Sequence, residues 1–366
     1  MSIYIHIPFC RSRCIYCDFY STTQEDKIAA YVEAVCCELR DRRHELGAED
    51  VQTIYFGGGT PSLLSANQLH AVLNCIYKEY SVSGTAEVTV EMNPDDVLRL
   101  GLVEGFNRVS LGVQTFDDKL LRFIRRRHDA ATAVNAVGQL QAEGCSNISI
   151  DLIYGLPNQT LALWERDLDT ALSLGVQHLS AYALSYEPGT PLHRMLQEQR
   201  VCEADDELSA TMYYRLCERA SQAGFEHYEI SNFALPGFRS RHNSSYWKGA
   251  PYLGIGPGAH SYDGLRKRRA NTPNLTAYLC GERPAEVEVL SDSELYDEAV
   301  MCGLRTCEGI DLTCLSARFG QHRLDYLLRM AQPHIKAQRL TIADNHLRLS
   351  HAALMVSDGI MSDLMA

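Results

Sequence analysis

The chain has 366 residues, of which 46% are hydrophobic and 22% are charged. This composition is typical of a folded globular protein, and it excludes a disordered chain, a collagen-like chain and a small disulfide-stabilised protein. Acidic residues outnumber basic residues by 46 to 34, which gives a formal net charge of −12. Attraction of the whole protein to nucleic acid or to an anionic membrane surface is therefore not expected.

The sequence shows neither a membrane span nor a secretory signal. No stretch approaches the ~20 consecutive apolar residues that a spanning helix requires, and residues 1–8 contain no basic segment and no cleavage site. The 13 cysteines are odd in number and mostly scattered, which fits free thiols in a reducing compartment. We therefore expect a cytoplasmic protein that does not span a membrane.

Strand-like and helix-like segments alternate over residues 1–190. Short segments rich in β-branched residues predict strands at Ser2–Ile7, Thr53–Phe56, Glu87–Glu91, Arg108–Val113, Asn147–Ile153 and His178–Leu184. Apolar residues three and four apart predict helices at Ile28–Leu39, Gln68–Tyr80, Asp117–Ile124, Ala130–Ala142 and Leu163–Ser173. This alternation predicts an α/β protein with a parallel sheet, and because the repeats stop short of eight, we expect an open, partial β/α barrel.

The rest of the chain has a different pattern. Ala204–Ala223 is predicted to be an amphipathic helix, and Phe233–Gly264 is predicted to be a long functional loop because it is aromatic and has little periodicity. The order helix, helix, hairpin, helix near the end predicts a small winged-helix-like α+β domain. We therefore divide the chain into a barrel (1–235), a loop and connector (236–285) and a C-terminal domain (286–366).

Three cysteines form the pattern C-x3-C-x2-C at Cys10, Cys14 and Cys17. Three thiolates this close suit one face of a cuboidal iron–sulfur cluster, because thiolates are the soft ligands that iron prefers. A 4Fe–4S cluster held by three cysteines keeps one iron open to a small chelating molecule. The alternatives are a zinc site, for which a second ligand pair is missing, and buried free thiols. The spacing favours the cluster.

The triplet, with Tyr16 directly before its third cysteine, resembles the signature of the radical S-adenosylmethionine (SAM) enzymes. The preceding run Tyr4–Cys10, which reads YIHIPFC, is similar to that of one group within them. This group contains the oxygen-independent coproporphyrinogen dehydrogenase HemN and the HemW-type heme chaperones. The resemblance covers essentially the whole chain and implies a 4Fe–4S cluster whose open iron binds SAM.

The resemblance also implies which residues surround SAM. A glycine-rich run at Gly57–Gly59 follows the second predicted strand, where bare N–H groups can approach a carboxylate closely. By resemblance, the SAM site is lined by Tyr4, Gly58, Gly59, Thr60, Glu91, Gln114, Arg126, Asp151 and Ala183. Arg126 is placed by its distance from Gln114, so the adjacent Arg127 remains an alternative. Cleavage of SAM by the reduced cluster is implied by the family and would need an electron donor.

Two features favour the chaperones over the dehydrogenases. The dehydrogenases carry a fourth cysteine just after the triplet, where this chain has Asp18-Phe19, and they have an N-terminal extension, whereas here nine residues precede Cys10. The segment His242–Trp247 matches the H-N-x-x-Y-W motif of the HemW-type chaperones. This match predicts a heme site formed by His242, Asn243, Tyr246 and Trp247.

The side chains of the motif have the chemical properties that heme binding requires. An imidazole can bind heme iron axially, and the rings of Tyr246 and Trp247 can stack on a porphyrin. Nearby Arg239, Arg241 and Lys248 are candidate partners of the heme propionates. His260 and the cysteines remain alternative iron ligands. The basic run at 266–269 is predicted to be a solvated turn, and the glycine run at 254–258 a turn that holds the predicted loop against the barrel.

The first hypothesis is therefore a heme chaperone that binds a 4Fe–4S cluster, SAM and one heme, and transfers the heme to an acceptor protein. It has no predicted catalytic residue, and in this hypothesis SAM and the cluster regulate transfer or dimerisation rather than drive turnover. The second hypothesis is a radical SAM enzyme acting on a tetrapyrrole, by oxidative decarboxylation of coproporphyrinogen III. A winged-helix nucleic-acid binder is a third hypothesis, which the acidic charge disfavours.

Overall fold

The computed structural model describes residues 1–47 and 50–366. Strands and helices alternate in the first half of the chain, as predicted. They are β1 (Ser2–Ile7), α1 (Ile28–Asp41), β2 (Val51–Gly58), α2 (Ala66–Glu79), β3 (Val82–Met92), α3 (Pro94–Leu100), β4 (Arg108–Gln114), α4 (Asp118–Phe123), α5 (Ala130–Ala142), β5 (Ile148–Tyr154), α6 (Leu161–Ser173) and β6 (His178–Ala183).

The second half of the chain mixes short strands with helices. Its first elements are α7 (Pro191–Gln197), α8 (Asp206–Gln222), β7 (Glu226–Glu229), β8 (Asn232–Ala234), α9 (Arg241–Trp247), β9 (Tyr252–Ile255), β10 (His260–Tyr262), β11 (Lys267–Asn271), α10 (Leu275–Leu279) and β12 (Ala285–Val289). The C-terminal elements are α11 (Asp292–Arg305), β13 (Ile310–Asp311), α12 (Leu312–Phe319), α13 (Gln321–Lys336), β14 (Leu340–Ala343), β15 (His346–Leu349) and α14 (Ser357–Leu364).

Within the described residues, twelve strands form one sheet in the order β12-β11-β10-β9-β1-β2-β3-β4-β5-β6-β8-β7. The run from β9 through β1 to β6 is parallel, and the flanking strands are antiparallel. The two edge strands do not pair with each other, so the prediction of an open barrel is confirmed. Each parallel crossover carries helices on the outside of the sheet, as the βαβ connection requires.

The two faces of the central strands differ in chemistry. On β1, Ile3, Ile5 and Ile7 are fully buried in the main hydrophobic core, which also contains the apolar residues of α1 and α2. Side chains alternate along a strand, so Tyr4 and His6 lie on the opposite face. The inner face of the partial barrel is therefore polar and aromatic, and it is this face that can bind ligands.

The segment Phe233–Gly264 is not a loop, and that prediction is wrong. It contains helix α9, and it supplies β9, which pairs in parallel with β1. The strands are only three to four residues long, too short for a sequence period to be recognised. The basic run at 266–269 also differs from its prediction, because Lys267–Asn271 is strand β11.

A buried carboxylate fixes this added part of the sheet to the barrel. Glu38 on α1 is fully buried and accepts hydrogen bonds from Tyr278 (2.7 Å), Asn271 (2.9 Å) and the backbone N–H of Gly256 (2.9 Å). It also forms an ion pair with Arg42, at 2.8 Å. With both of its oxygens accepting hydrogen bonds, this carboxylate is tolerated inside the protein. The network holds the turn after β9 against α1.

The C-terminal part has its own hydrophobic core, formed by residues between Tyr296 and Leu364. Its sheet, in the order β13-β15-β14, is antiparallel and packs with α11–α14. Helix α11 begins with a capping box, in which Ser291 and Glu294 satisfy each other's backbone N–H groups. This is the small α+β domain that the element order predicts. No helix among residues 1–47 and 50–366 is long and apolar enough to cross a membrane.

Candidate functional site

A cavity of about 530 Å³ lies at the carboxyl ends of the parallel strands. It brings together eleven of the predicted cluster and SAM residues: Cys10, Cys14, Cys17, Gly58, Gly59, Thr60, Glu91, Gln114, Arg126, Asp151 and Ala183. Tyr4, the remaining predicted SAM residue, lines a second cavity instead. Ligands of open α/β sheets bind at this end of the strands, because the loops that follow the strands meet there.

The three clustered cysteines are half-buried and line this first cavity. The Thr60 hydroxyl lies 3.5 Å from Cys10 Sγ, and Arg126 Nη1 lies 3.6 Å from Cys14 Sγ. Burial raises the pKa of the Cys10 thiol, and it raises that of Cys17 to about 11. Donors and a positive charge directed at the sulfurs are what thiolate ligands of an iron–sulfur cluster require.

No group of three or more His, Cys, Asp and Glu side chains in the described part of the chain could hold a single metal ion. A cuboidal cluster makes a different demand, since each thiolate binds its own iron and the sulfurs surround the cluster. Three thiols on the wall of one cavity meet that demand. The residues present therefore fit a cluster better than a zinc ion.

The glycine-rich run is required by close packing at the end of β2. Gly58 has a φ of +107°, and a Cβ there would lie 2.6 Å from the ring of His6. A Cβ on Gly59 would lie 2.7 Å from the carbonyl oxygen of Phe9. Because these glycines have no side chain, the end of β2 packs closely against the segment that leads into the cysteine triplet. The backbone of the run is thereby brought to the cavity wall.

Two carboxyl groups line the cavity next to the glycine run. Glu91 accepts hydrogen bonds from the Tyr55 hydroxyl (2.8 Å) and from the backbone N–H of Gly58 (3.1 Å). Burial, reinforced by the nearby Asp151, raises the pKa of Glu91 to about 7. Burial also raises the pKa of Asp151. Perturbed carboxyl groups in a cavity are typical of ligand-binding sites.

The Glu91 proton makes stability depend on pH. The unfolded chain releases this proton near the ordinary pKa of 4.5, whereas the folded chain retains it to about pH 7. The folded state binds more protons in this window, so the free energy of unfolding falls as the pH rises through it. Glutamine cannot ionise, so its variant does not lose this stability. We expect the free energy of unfolding of Glu91→Gln, relative to that of the wild type, to rise by about 2 kcal/mol between pH 5 and pH 8. Urea unfolding of the cluster-free protein measures this.

A matched control is Glu104→Gln, which changes an exposed carboxylate outside the cavity. Its unfolding free energy should follow the wild type across the same pH range. A Glu91→Gln curve parallel to that of the wild type would contradict the raised pKa of Glu91.

Arg126 rather than Arg127 is directed at the cysteine triplet. Arg126 Nη2 donates to Asn93 Oδ1 at 2.6 Å and to the carbonyl of Gly112 at 2.5 Å, while its Nη1 faces Cys14. Arg127 is held in an ion pair with Asp95, at 2.8 Å. Asn93 is a cavity residue that the sequence analysis missed, although its place just after Glu91 at a strand end was a usable signal.

Gln114 has an unusual backbone conformation at the end of β4. Its φ is +72°, and the register between β4 and β5 shifts between Gly112 and Gln114. A residue other than glycine in this region is strained by about 1–3 kcal/mol, and such residues concentrate at functional sites. The bulge places Gln114 among the residues that line the first cavity.

Helix α9, which carries the H-N-x-x-Y-W motif, lies at the opposite, amino-terminal end of the strands. Its first two backbone N–H groups donate to the carboxylate of Glu87 on β3. Ser245 bonds Ser2 on β1 (3.0 Å), and His242 bonds Thr53 on β2 (2.7 Å). Ser2 is the register partner of Thr53, and Thr53 is the register partner of Glu87. The three residues that bond α9 therefore lie side by side on neighbouring strands, and α9 closes this end of the partial barrel.

His242 is buried inside the barrel, with 1% of its surface exposed. Its Nδ1 is bonded to the Thr53 hydroxyl, and its Nε2 lies 2.8 Å from the Tyr246 hydroxyl. Its ring stacks on Tyr55, with 4.9 Å between centroids. Burial, together with the positive charge of Arg108, lowers the pKa of His242 to about 3. The imidazole is therefore neutral, and both of its nitrogens are already hydrogen-bonded.

The other motif residues lie at the far end of α9. Tyr246 and Trp247 line the second cavity, and the guanidinium of Arg305 covers the Trp247 ring at 4.5 Å. Asn243 is half-buried and its backbone N–H is bonded to Ser240; it lines none of the described cavities.

The three predicted propionate partners differ in availability. Arg239 is paired with Glu226 and Glu308. Arg241 donates to the backbone carbonyl of Thr85. Lys248 is exposed and lines the second cavity. Of the three, Lys248 is therefore the one that faces a cavity of ligand size.

An open parallel β/α barrel with a C-x3-C-x2-C triplet at its strand ends defines the class of radical SAM proteins. The family profile described as "Radical SAM superfamily" matches residues 4–171, and that described as "HemN C-terminal domain" matches residues 290–356. The chain belongs to the HemW family within this class.

Relatives and a solved structure support this assignment. The chain is 41% identical to the heme chaperone HemW of Synechocystis, over 84% of this chain and 78% of that protein. It is 36% identical to HemW of Bacillus subtilis, over 87% of each chain. The structure of Escherichia coli coproporphyrinogen III oxidase (HemN), a radical SAM enzyme, has the same fold: the TM-score is 0.83 at 21% identity, covering 100% of this chain and 90% of that one.

Proposed function

We propose that the protein is a heme chaperone that carries a 4Fe–4S cluster, SAM and one heme, and delivers the heme to an acceptor protein. The observation that carries this proposal is a second cavity of about 850 Å³, next to the cysteine cavity and lined by many aromatic side chains together with Lys248, Arg268 and Arg318. Its volume lies within the ~300–1,000 Å³ of ordinary ligand sites. The family's named heme chaperones support the same function.

In this proposal the first cavity holds the two resident cofactors. Cys10, Cys14 and Cys17 bind the cluster, and Arg126 offsets the negative charge that the thiolates bring. The backbone of Gly58–Thr60 and the side chains of Glu91, Gln114, Asp151 and Ala183 surround SAM. When bound and reduced, the cluster supplies the electron that can cleave the SAM sulfonium. We assign cluster and SAM a role in controlling heme transfer or dimerisation.

The proposed setting is the cytoplasm. All thirteen cysteines are free thiols in the structure, and an iron–sulfur cluster and unpaired thiols both persist best in a reducing compartment. The heme acceptor is proposed to be another protein, and an electron donor is required only if SAM is cleaved.

Titration with hemin tests the proposal. The anaerobically reconstituted protein should bind hemin saturably at one heme per chain, seen as a Soret band distinct from that of free hemin. SAM should be consumed little in the presence of heme. Absence of saturable binding, combined with sustained formation of 5′-deoxyadenosine from SAM with coproporphyrinogen III, would overturn the chaperone in favour of a tetrapyrrole-modifying enzyme.

A further inference from the structure

The second cavity lies between the barrel and the C-terminal domain. Residues of β1, α9, β9 and β10 line one part of it, and residues of α11 and α12 line another. It meets the cysteine cavity at Phe19, which lines both and is 62% exposed. A ligand here would contact both domains and would lie next to the cluster site.

Two histidines line this cavity, His6 and His260, and His242 lies behind its wall, bonded to Tyr246. The imidazoles of His242 and His6 are already hydrogen-bonded through both nitrogens. His242 bonds Thr53 and Tyr246, as described above. His6 bonds the Tyr4 hydroxyl through Nδ1 (3.1 Å) and the backbone carbonyl of Tyr20 through Nε2 (3.0 Å). Neither imidazole can bind iron unless these buried bonds are broken, which leaves their partners unsatisfied.

His260 differs from both. It is the first residue of β10, it is exposed, and it lines the second cavity. Its imidazole has no hydrogen-bond partner among the side chains and backbone groups of residues 1–47 and 50–366. A neutral imidazole with a free ring nitrogen is the ordinary protein ligand of heme iron.

The rest of the cavity matches the other parts of heme. Tyr246, Tyr252 and Tyr262 offer aromatic surface for a flat porphyrin. Arg268, Arg318 and Lys248 bring positive charge near two propionates, although Arg268 also pairs with Glu298 at 2.8 Å. Against these three basic side chains stand two acidic ones, Glu298 and Asp311, so the charged groups of the cavity leave a small excess of positive charge.

Two buried donors in the cavity wall lack acceptors in the structure. They are Nε1 of Trp247 and Nε of Arg268, and both residues line the cavity. Buried N–H groups are almost always hydrogen-bonded in native proteins. Carboxylate groups of a bound ligand would supply the missing acceptors.

We propose that heme binds in this second cavity with His260 as an axial ligand of its iron, and that the C-terminal domain forms part of the site. The inference rests on the proposed heme-chaperone function and specifies its heme site. Within the motif, Tyr246 and Trp247 then contact the heme, while His242 supports them from inside the barrel.

Hemin titration of His260→Ala tests the assignment. Loss of an axial ligand should weaken hemin binding at least about tenfold and move the Soret band away from its wild-type position. Added imidazole should enter the space left by the side chain and restore the wild-type spectrum. The matched control is His44→Ala, which removes an exposed histidine that lines none of the described cavities.

The outcomes separate the inference from the proposed function. Saturable hemin binding by the wild type, with an unchanged spectrum and affinity in His260→Ala, would overturn the His260 assignment and leave the chaperone function standing. No saturable binding by the wild type would overturn both. Weaker binding by both His260→Ala and His44→Ala would also count against a specific role of His260.

Discussion

Replacing Cys14 with alanine is expected to abolish assembly of the iron–sulfur cluster. A cuboidal cluster held by three thiolates loses one of its three protein anchors, and among the described residues no cysteine outside the triplet lines the same cavity to replace it. Iron content and the visible absorption of the reconstituted protein should fall to background. SAM affinity should fall with them, because the open iron is its proposed binding point. Stability of the cluster-free protein should change little, since Cys14 is only half-buried.

Cys280→Ala is the control for this experiment. Cys280 is an exposed free thiol just after α10, and it lines neither the cysteine cavity nor the second cavity. Its variant should take up iron and SAM like the wild type. Full iron content in Cys14→Ala would show that the cluster is held by other residues.

Replacing His242 with alanine is expected to destabilise the protein by about 3 kcal/mol. The substitution empties a buried site and leaves the hydroxyls of Thr53 and Tyr246 without their imidazole partner. The free energy of unfolding by urea measures this loss. If His260 is the ligand, the Soret position of the heme complex should stay at its wild-type value while affinity falls modestly.

Two further variants make this result interpretable. His44→Ala should retain wild-type stability, because His44 is exposed. His242→Gln, which keeps a polar side chain in the buried site, should recover part of the lost stability. A Soret band displaced from its wild-type position in a folded His242→Gln protein would be a different result. It would indicate that His242 binds the heme iron in the wild-type complex and there leaves the hydrogen-bonded position described above.

Burial of His242 also makes the free energy of unfolding depend on pH. The unfolded chain protonates His242 near the ordinary pKa of 6.5, and the folded chain only near 3. The unfolded state binds more protons in this window, so the His242 contribution to stability is complete above about pH 6.5 and is lost as the pH falls toward about 3. The stability difference between wild type and His242→Gln should narrow over this range.

Several features of this protein were determined by its sequence alone. The parallel strands could be predicted because buried β-branched runs alternate with helical periods, as at Ser2–Ile7 and Ile28–Leu39. The cysteine triplet could be predicted because its ligands are adjacent along the chain. The residues assigned to SAM lie far apart in sequence and were identified through the family resemblance; several of them, such as Glu91 and Gln114, also stand at strand ends, and parallel strands bring their carboxyl ends to one edge. The local pattern together with the resemblance therefore predicted residues that line one cavity.

The environment of the H-N-x-x-Y-W motif was decided only by the tertiary structure. The sequence shows His242 beside Asn243 and Tyr246, but not that Thr53 and Tyr55 on a distant strand surround it. Nor does it show that Tyr4 and His260 line one cavity with residues of the C-terminal domain. Whether a histidine is free to bind a ligand depends on its burial and its hydrogen-bond partners, and these are set by contacts between segments more than a hundred residues apart along the chain.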